Sequence, residues 1–198
     1  MSRVGNSSDP RVQRTRQLLL KAFMALVQEK RNIHSISIQE IAMRATVNRA
    51  TFYAHFEDKY ALMADWSREK FQRALTNKLP PSSSLQKETL HLLILAVFDF
   101  MALSRRYYRP SNRQFELLYE MTIQQELYDL LLRWLQQIPS EIPLPEETIE
   151  TTAQALSWAI FGPATRWSGG DQSISKEVMA HHVLAIVVAG LSPVVTVT

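Results

Sequence analysis

Ser37–Lys59, SIQEIAMRATVNRATFYAHFEDK, decides how the rest of this chain is read. Ser37 followed by Glu40 is a capping-box pair: the hydroxyl accepts from an orphan N–H of a first helical turn while the carboxylate reaches back. Ile38, Ile41, Ala42 and Ala45 then recur at i, i+3, i+4 and i+7, one apolar stripe with Gln39, Met43 and Arg44 off it. Thr46 and Val47 form a turn, and Asn48 is a good N-cap for a second helix. That helix is short, because Glu57-Asp58 offers the next start. It interleaves Arg49, Thr51, Tyr53 and His55 with Ala50, Phe52 and Phe56. Charge, hydroxyl and phenol on so short a helix exceed what folding requires. Two short helices joined by such a turn form the unit that lays a helix in a DNA major groove.

Outward from this stretch, 198 residues with 46% apolar side chains can bury an ample core, and only 5 Gly argue against a loop-rich or repeat architecture. There is no cysteine, which excludes disulfides, thiolate metal sites and cysteine nucleophiles and fits a reducing cytoplasm. The first residues lack the apolar stretch of a signal peptide. The longest apolar runs, Leu92–Phe98 and Val183–Leu191, fall short of the roughly 18 residues of a membrane span. A soluble, cytoplasmic protein is expected, with no membrane partner.

The net charge of +3 conceals a division. Residues 1–78 hold 14 Lys and Arg against 7 Asp and Glu, whereas residues 79–198 hold 8 against 12. Such asymmetry fits a nucleic-acid-binding arm on a different body. Taken alone it is equally compatible with two ordinary surfaces.

In chain order, residues 1–8 are polar and expected to be disordered. Asp9-Pro10 starts a helix that runs to about Lys30 and buries Val12, Leu19, Ala22, Phe23 and Leu26. Arg11, Arg14 and Arg16 occupy its first turns, where cations oppose the helix dipole. They are either a solvated face or phosphate contacts. A fourth helix from near Asp58 carries Leu62, Met63, Trp66, Phe71 and Leu75 and stops before Pro80-Pro81. Pro80–Gln86, PPSSSLQ, is the clearest linker, so the domains are placed at 9–79 and 80–198. Beyond it, helices are expected over Lys87–Ser104, Asn112–Gln137, Glu146–Trp167 and Ser175–Leu191, with Pro139, Pro143 and Pro145 as a stiff connector. Gly162-Pro163 should kink the third of these or end it after Phe161.

With these helices in place, Ser37–Leu62 resembles the DNA-binding domain of the TetR family of bacterial transcriptional regulators. The residues that carry the resemblance are Ser37, Ile41-Ala42, Ala45-Thr46-Val47, Thr51-Phe52-Tyr53, Phe56, Lys59 and Leu62. It covers about the first 75 residues, and the remainder matches only in its pattern of helices. Thr46 departs from the family, whose members usually have Gly there. Threonine tolerates a left-handed turn poorly, so either an altered turn or ordinary dihedrals are expected. Ala54 replaces a bulkier residue, with little consequence expected.

The resemblance implies an all-α fold: an N-terminal three-helix helix-turn-helix domain joined to a C-terminal helical bundle that dimerises. It implies that Arg49 and Thr51 face base edges or adjacent phosphates, where an Arg can donate twice to guanine. Ala50 would touch a thymine methyl. Tyr53, His55 and Lys59 would donate to phosphates, and Ser37 and Arg44 would hold the supporting helix to the backbone. With Asn48 heading the recognition helix and Arg11 and Arg14 on the first helix, these form the expected DNA-contacting set.

In the C-terminal part, Phe100, Met101, Tyr107, Tyr119, Trp134 and Trp158 are either bundle core or the lining of an apolar effector pocket. Leu156 and Ile160, with Met179, Val183 and Ile186, supply faces on the last two helices through which two chains would dimerise. His181-His182 point about 100° apart and make a poor chelate, so no metal site is assigned. Asp99, Glu116, Glu120 and Glu126 lack a nucleophile or cofactor loop beside them. No catalytic residue and no cofactor are therefore assigned. The expected protein is a homodimeric regulator of a palindromic operator, a repressor released when a small-molecule effector binds the C-terminal domain. The alternative is a DNA-binding activator or architectural protein controlled by a protein partner, with no small molecule.

Overall fold

The computed structural model describes residues 9–30, 32–107, 113–138, 144–170 and 172–191, and all regular structure among them is helical. The helices are α1 (Pro10–Lys30), α2 (Ile38–Arg44), α3 (Arg49–His55), α4 (Lys59–Thr76), α5 (Lys87–Tyr107), α6 (Arg113–Gln136), α7 (Glu146–Gly169) and α8 (Lys176–Leu191). A short 3-10 turn, Ile33–Ser35, precedes α2, with Asn32 capping it through a bond from the His34 N–H. The expectations for residues 1–8 and for Pro139 and Pro143 lie outside the described residues.

These residues form two compact units, one comprising residues up to Ser67 together with 110–119, the other Arg68–Arg109 and residues from Glu120 onward. The division falls inside α4, not at the Pro80–Gln86 linker. Its cause is packing: Phe71, in the second half of α4, meets Phe100 of α5 with ring centroids 5.1 Å apart. Leu75 and the linker's own Leu85 are also buried.

The first unit is built on the expected stripes. Leu19, Phe23, Ile36, Ile41, Phe52, Leu62 and Met63 are completely buried. Each fully buried side chain of this size contributes about 1.5–3 kcal/mol. That matters most for α3, because two turns of helix are too short to persist alone; Phe52 and Phe56 hold it in place.

The turn between α2 and α3 keeps the left-handed geometry that Thr46 was expected to avoid. Thr46 has φ of 58°. Its N–H donates to Met43 O at 3.1 Å, and the Val47 N–H to Ala42 O at 2.9 Å. These are the two bonds of a Schellman helix end. They satisfy carbonyls that α2 would otherwise leave bare, and this gain holds a β-branched residue where Gly is cheaper.

In the second unit α5 packs against α7 and α8, which also pack on each other. Leu93, Ile94, Val97 and Phe98 of α5 meet a core that includes Ala153, Ile160 and Ala164 of α7 with Val183 and Val187 of α8. Buried Gln124 Nε2 donates to the Ser157 hydroxyl at 3.0 Å, whereas the buried Thr165 hydroxyl of α7 has no hydrogen-bond partner among the described residues. Pro163 does not end α7, which continues to Gly169. Proline removes one donor, and that loss is outweighed by burying Ala164 and Ser168 beyond it.

Candidate nucleic-acid interface

Both helices of the turn unit start on well-formed caps. The Ser37 hydroxyl accepts from the Glu40 N–H at 3.2 Å, and Glu40 Oε2 accepts from the Ser37 N–H at 2.9 Å. Lys30 pairs with the same carboxylate. Lys30 first, then Ser37, hold the Glu40 carboxyl down at about 2. Asn48 Oδ1 accepts from both the N–H and the hydroxyl of Thr51, at 2.7 and 2.9 Å. Asn48 Oδ1 and the Thr51 hydroxyl are therefore engaged in starting α3, the capping role expected of Asn48 from the sequence, with Thr51 drawn into the same cap.

What α3 turns outward is narrower than the expected set. Arg49, Ala50, Tyr53 and Ala54 are exposed, whereas Phe52 and Phe56 are buried and His55 is half-buried. The four exposed residues fall at i, i+1, i+4 and i+5, a single helical face. Arg49 has no hydrogen-bond or ion-pair partner among the described residues. Tyr53 sets its ring edge-on to Phe52, centroids 5.6 Å apart, which leaves it half exposed in a supported orientation. Ala54, for which little consequence was expected, is exposed on this same face, at i+4 from Ala50.

Three expected phosphate donors are placed otherwise. Lys59 Nζ donates to three carbonyl oxygens of the turn before α2: Ile33 at 2.9 Å, His34 at 3.2 Å and Ile36 at 2.8 Å. All three ammonium donors are used, and partial burial pulls its pKa below the usual lysine value. Lys59 is a strut between α4 and this turn. The guanidinium of Arg44 is closed on Glu29, which holds its pKa above the ordinary arginine value. The pKa of His55 is pushed below the ordinary imidazole value by burial and then by the nearby charge of Arg16, itself paired with Asp65 at 2.7 Å. Burial and the Arg16 charge thus disfavour the imidazolium form of His55 in the free chain. Arg11 and Arg14 are exposed on the first turns of α1, with no ion-pair partner among the described residues.

Among the expected effector residues, Phe100, Met101 and Trp134 are buried in the core of the second unit, Tyr119 belongs to the first unit, and Trp158 is 51% exposed on α7. The side chain of Tyr107 lies outside the described residues. Of the expected dimer residues, Leu156, Ile160 and Val183 are buried within their own chain, Met179 is half-buried, and Ile186 is 65% exposed. Side chains consumed by the intrachain core cannot serve a second chain. The outward stripe consists instead of Gln154, Ala155 and Trp158 on α7 with Val178, His182, Ala185, Ile186 and Ala189 on α8. The four carboxylates considered for catalysis are mostly in ion pairs: Asp99 with Lys176 at 2.6 Å, Glu126 with Arg68 at 2.6 Å, Glu120 with Arg105 at 3.5 Å. No group of metal-ligating side chains occurs among the described residues. No helix among them is long and apolar enough to cross a membrane.

Residues 19–65 match the family model of the bacterial regulatory proteins, tetR family. Over 55 residues the chain is 42% identical to YxbF of Bacillus subtilis (strain 168), an uncharacterized HTH-type transcriptional regulator. That match spans 28% of this chain and only 14% of the relative. The whole fold is similar to a TetR transcriptional regulator from Streptococcus agalactiae 2603V, with TM-score 0.51, 23% identity, and 89% and 95% of the two chains covered. It is also similar to the transcriptional regulator FadR from Bacillus subtilis in complex with stearoyl-CoA, with TM-score 0.50, 20% identity, and 88% and 98% covered. At these identities the two structures bear on fold alone.

Proposed function

Because the N-terminal helix-turn-helix domain is one of the tetR family of bacterial regulatory proteins, we propose that this chain binds a palindromic DNA operator as a homodimer and represses transcription. The observation that carries this is the outward face of α3, where unpaired Arg49 stands beside Ala50, half-exposed Tyr53 and Ala54. This face combines a bidentate guanine donor with small apolar groups that can meet a thymine methyl. Arg11 and Arg14 would add phosphate contacts, and Ser37 its hydroxyl. Arg44 and Lys59 are left out of this set for as long as their internal partners hold them.

The proposed dimer forms through the outward stripe of α7 and α8. Trp158 on α7 and Val178 and Ile186 on α8 are large apolar side chains that each stand exposed, and exposed apolar surface of this kind marks interaction sites where it is contiguous. Gly190 supports the same reading. A Cβ there would meet nothing within 4 Å, so no crowding inside the chain calls for glycine. Glycine in a helix costs about 0.8–1 kcal/mol relative to alanine. Close approach of a second chain would account for it.

An effector bound to the C-terminal domain would favour a separation of the two recognition helices that no longer matches successive major grooves. The stearoyl-CoA carried by FadR supports a ligand-responsive bundle of this fold without naming a ligand for this chain. The test is selection of a binding site from random duplexes, followed by affinity measurement with Arg49→Ala. The substitution should weaken the selected site by roughly 1–3 kcal/mol and relax its preference at one position. Unaltered affinity and preference would remove Arg49 from the interface.

A further inference from the structure

We propose that a cavity at the junction of α7 and α8 binds a small aromatic monocarboxylate, with its ring against Trp167 and Pro163 and its anion on Arg166. The cavity measures about 410 Å³ and is open to solvent. Small-molecule sites occupy roughly 300–1,000 Å³, and about 150 Å³ suffices for benzene. A body of one or two rings therefore fits.

Its walls are set in advance of any ligand. The Trp167 indole Nε1–H donates to Ile174 O at 2.8 Å, and its ring lies 5.4 Å from that of Phe98. The indole is thus held from two sides. Pro163, Ile174 and Met179 supply the rest of the apolar surface, and a thioether beside an aromatic wall suits a flat, polarisable guest. Ile174 is 46% exposed at the lip, a poor position for a branched apolar side chain that has nothing to cover. Gln172, on the same rim, has φ of 54°. Left-handed strain in a residue other than glycine tends to gather at ligand clamps.

The charge at the site identifies the polar end of the guest. Arg68, Lys78, Arg105 and Lys176, in the same unit, are each in an ion pair with a carboxylate. Arg166, exposed at the edge of the cavity, has no partner among the described residues, and no acidic side chain is among the described lining residues. A guanidinium fork matches a single carboxylate through two parallel hydrogen bonds. One cation beside a flat apolar wall selects a monoanion over a polyphosphate.

The inference rests on the regulator reading only for its consequence at DNA, since binding itself does not depend on it. The experiment is isothermal titration of the full chain with naphthoate and, separately, with the neutral isostere naphthamide. Naphthoate should bind and naphthamide should bind markedly less. Arg166→Gln should weaken naphthoate at least about ten-fold, the scale of losing a charge-assisted pair, with the melting transition unchanged. Met179→Trp, which fills the cavity, should weaken both compounds. The proposal is overturned if the two compounds bind alike, if Arg166→Gln leaves naphthoate binding intact, or if naphthoate fails to bind at millimolar concentration. No readout involves DNA, so an operator that is never found leaves this result standing, and absence of naphthoate binding leaves operator recognition untouched.

Discussion

Arg44 and Glu29 close on one another across the α1–α2 junction, Nη1 to Oε2 at 2.6 Å and Nη2 to Oε1 at 2.5 Å. The pair holds the Glu29 carboxyl below the usual carboxylate range. It also occupies the guanidinium fork that the family resemblance assigns to the DNA backbone. Glu29→Gln removes the competing charge and frees that fork. The variant should bind duplex DNA more tightly at low salt and gain about one unit in the slope of log affinity against log salt. Anisotropy titrations over a salt series measure it, and an unchanged slope would show that Arg44 does not reach phosphate.

Lys59 makes the opposite case, a cation whose loss should be felt by the fold. Lys59→Met would leave the carbonyls of Ile33, His34 and Ile36 without their shared donor. Because these groups are partly exposed, water would recover some of the loss, and a destabilisation of about 1–2 kcal/mol is expected. Urea denaturation checks this. The salt slope of DNA binding should stay unchanged, and a drop of about one unit would return Lys59 to the phosphate-contacting set.

Thr46 carries left-handed strain without a glycine to relieve it. Thr46→Gly should raise stability by up to about 1 kcal/mol, the roughly 1–2 kcal/mol cost of the left-handed conformation less the roughly 0.5–1 kcal/mol of entropy that glycine adds to the unfolded chain. Thermal denaturation reads the change. A destabilised variant would mean that the threonine side chain makes a compensating contact.

Ile186 projects from α8 with 65% of its surface exposed. Ile186→Glu should leave the helical content intact and shift the chain toward monomer in sedimentation velocity, because a charge would be buried without a partner at the proposed interface. An unshifted dimer would place the interface elsewhere.

Much of the first unit was legible in the chain because its signals are local. The Ser37–Glu40 box, the Asn48 cap and the stripe through Ile41 and Ala42 involve residues within one or two turns. The buried set Leu62, Met63 and Trp66, continued into the second unit by Phe71 and Leu75, follows from one helical period. Trp158, Leu156 and Val183 were not legible in the same way. All are apolar at helical spacing, and periodicity says only that some face is buried. Whether that face meets its own chain or another depends on where α5 lies.

The sequence by itself determined the helices, their starts and the short recognition helix, since capping and periodicity act between residues a few positions apart. Tertiary structure alone decided which polar side chains remain free. Lys59 and Arg44 look like phosphate donors on paper, but the fold brings them beside the carbonyls before α2 and the carboxylate of Glu29. Charges within hydrogen-bond reach of a partner satisfy each other first, and that proximity comes from residues 15 or more positions away. Arg49 stays unpaired because α3 faces outward there, held by Phe52 and Phe56 from behind.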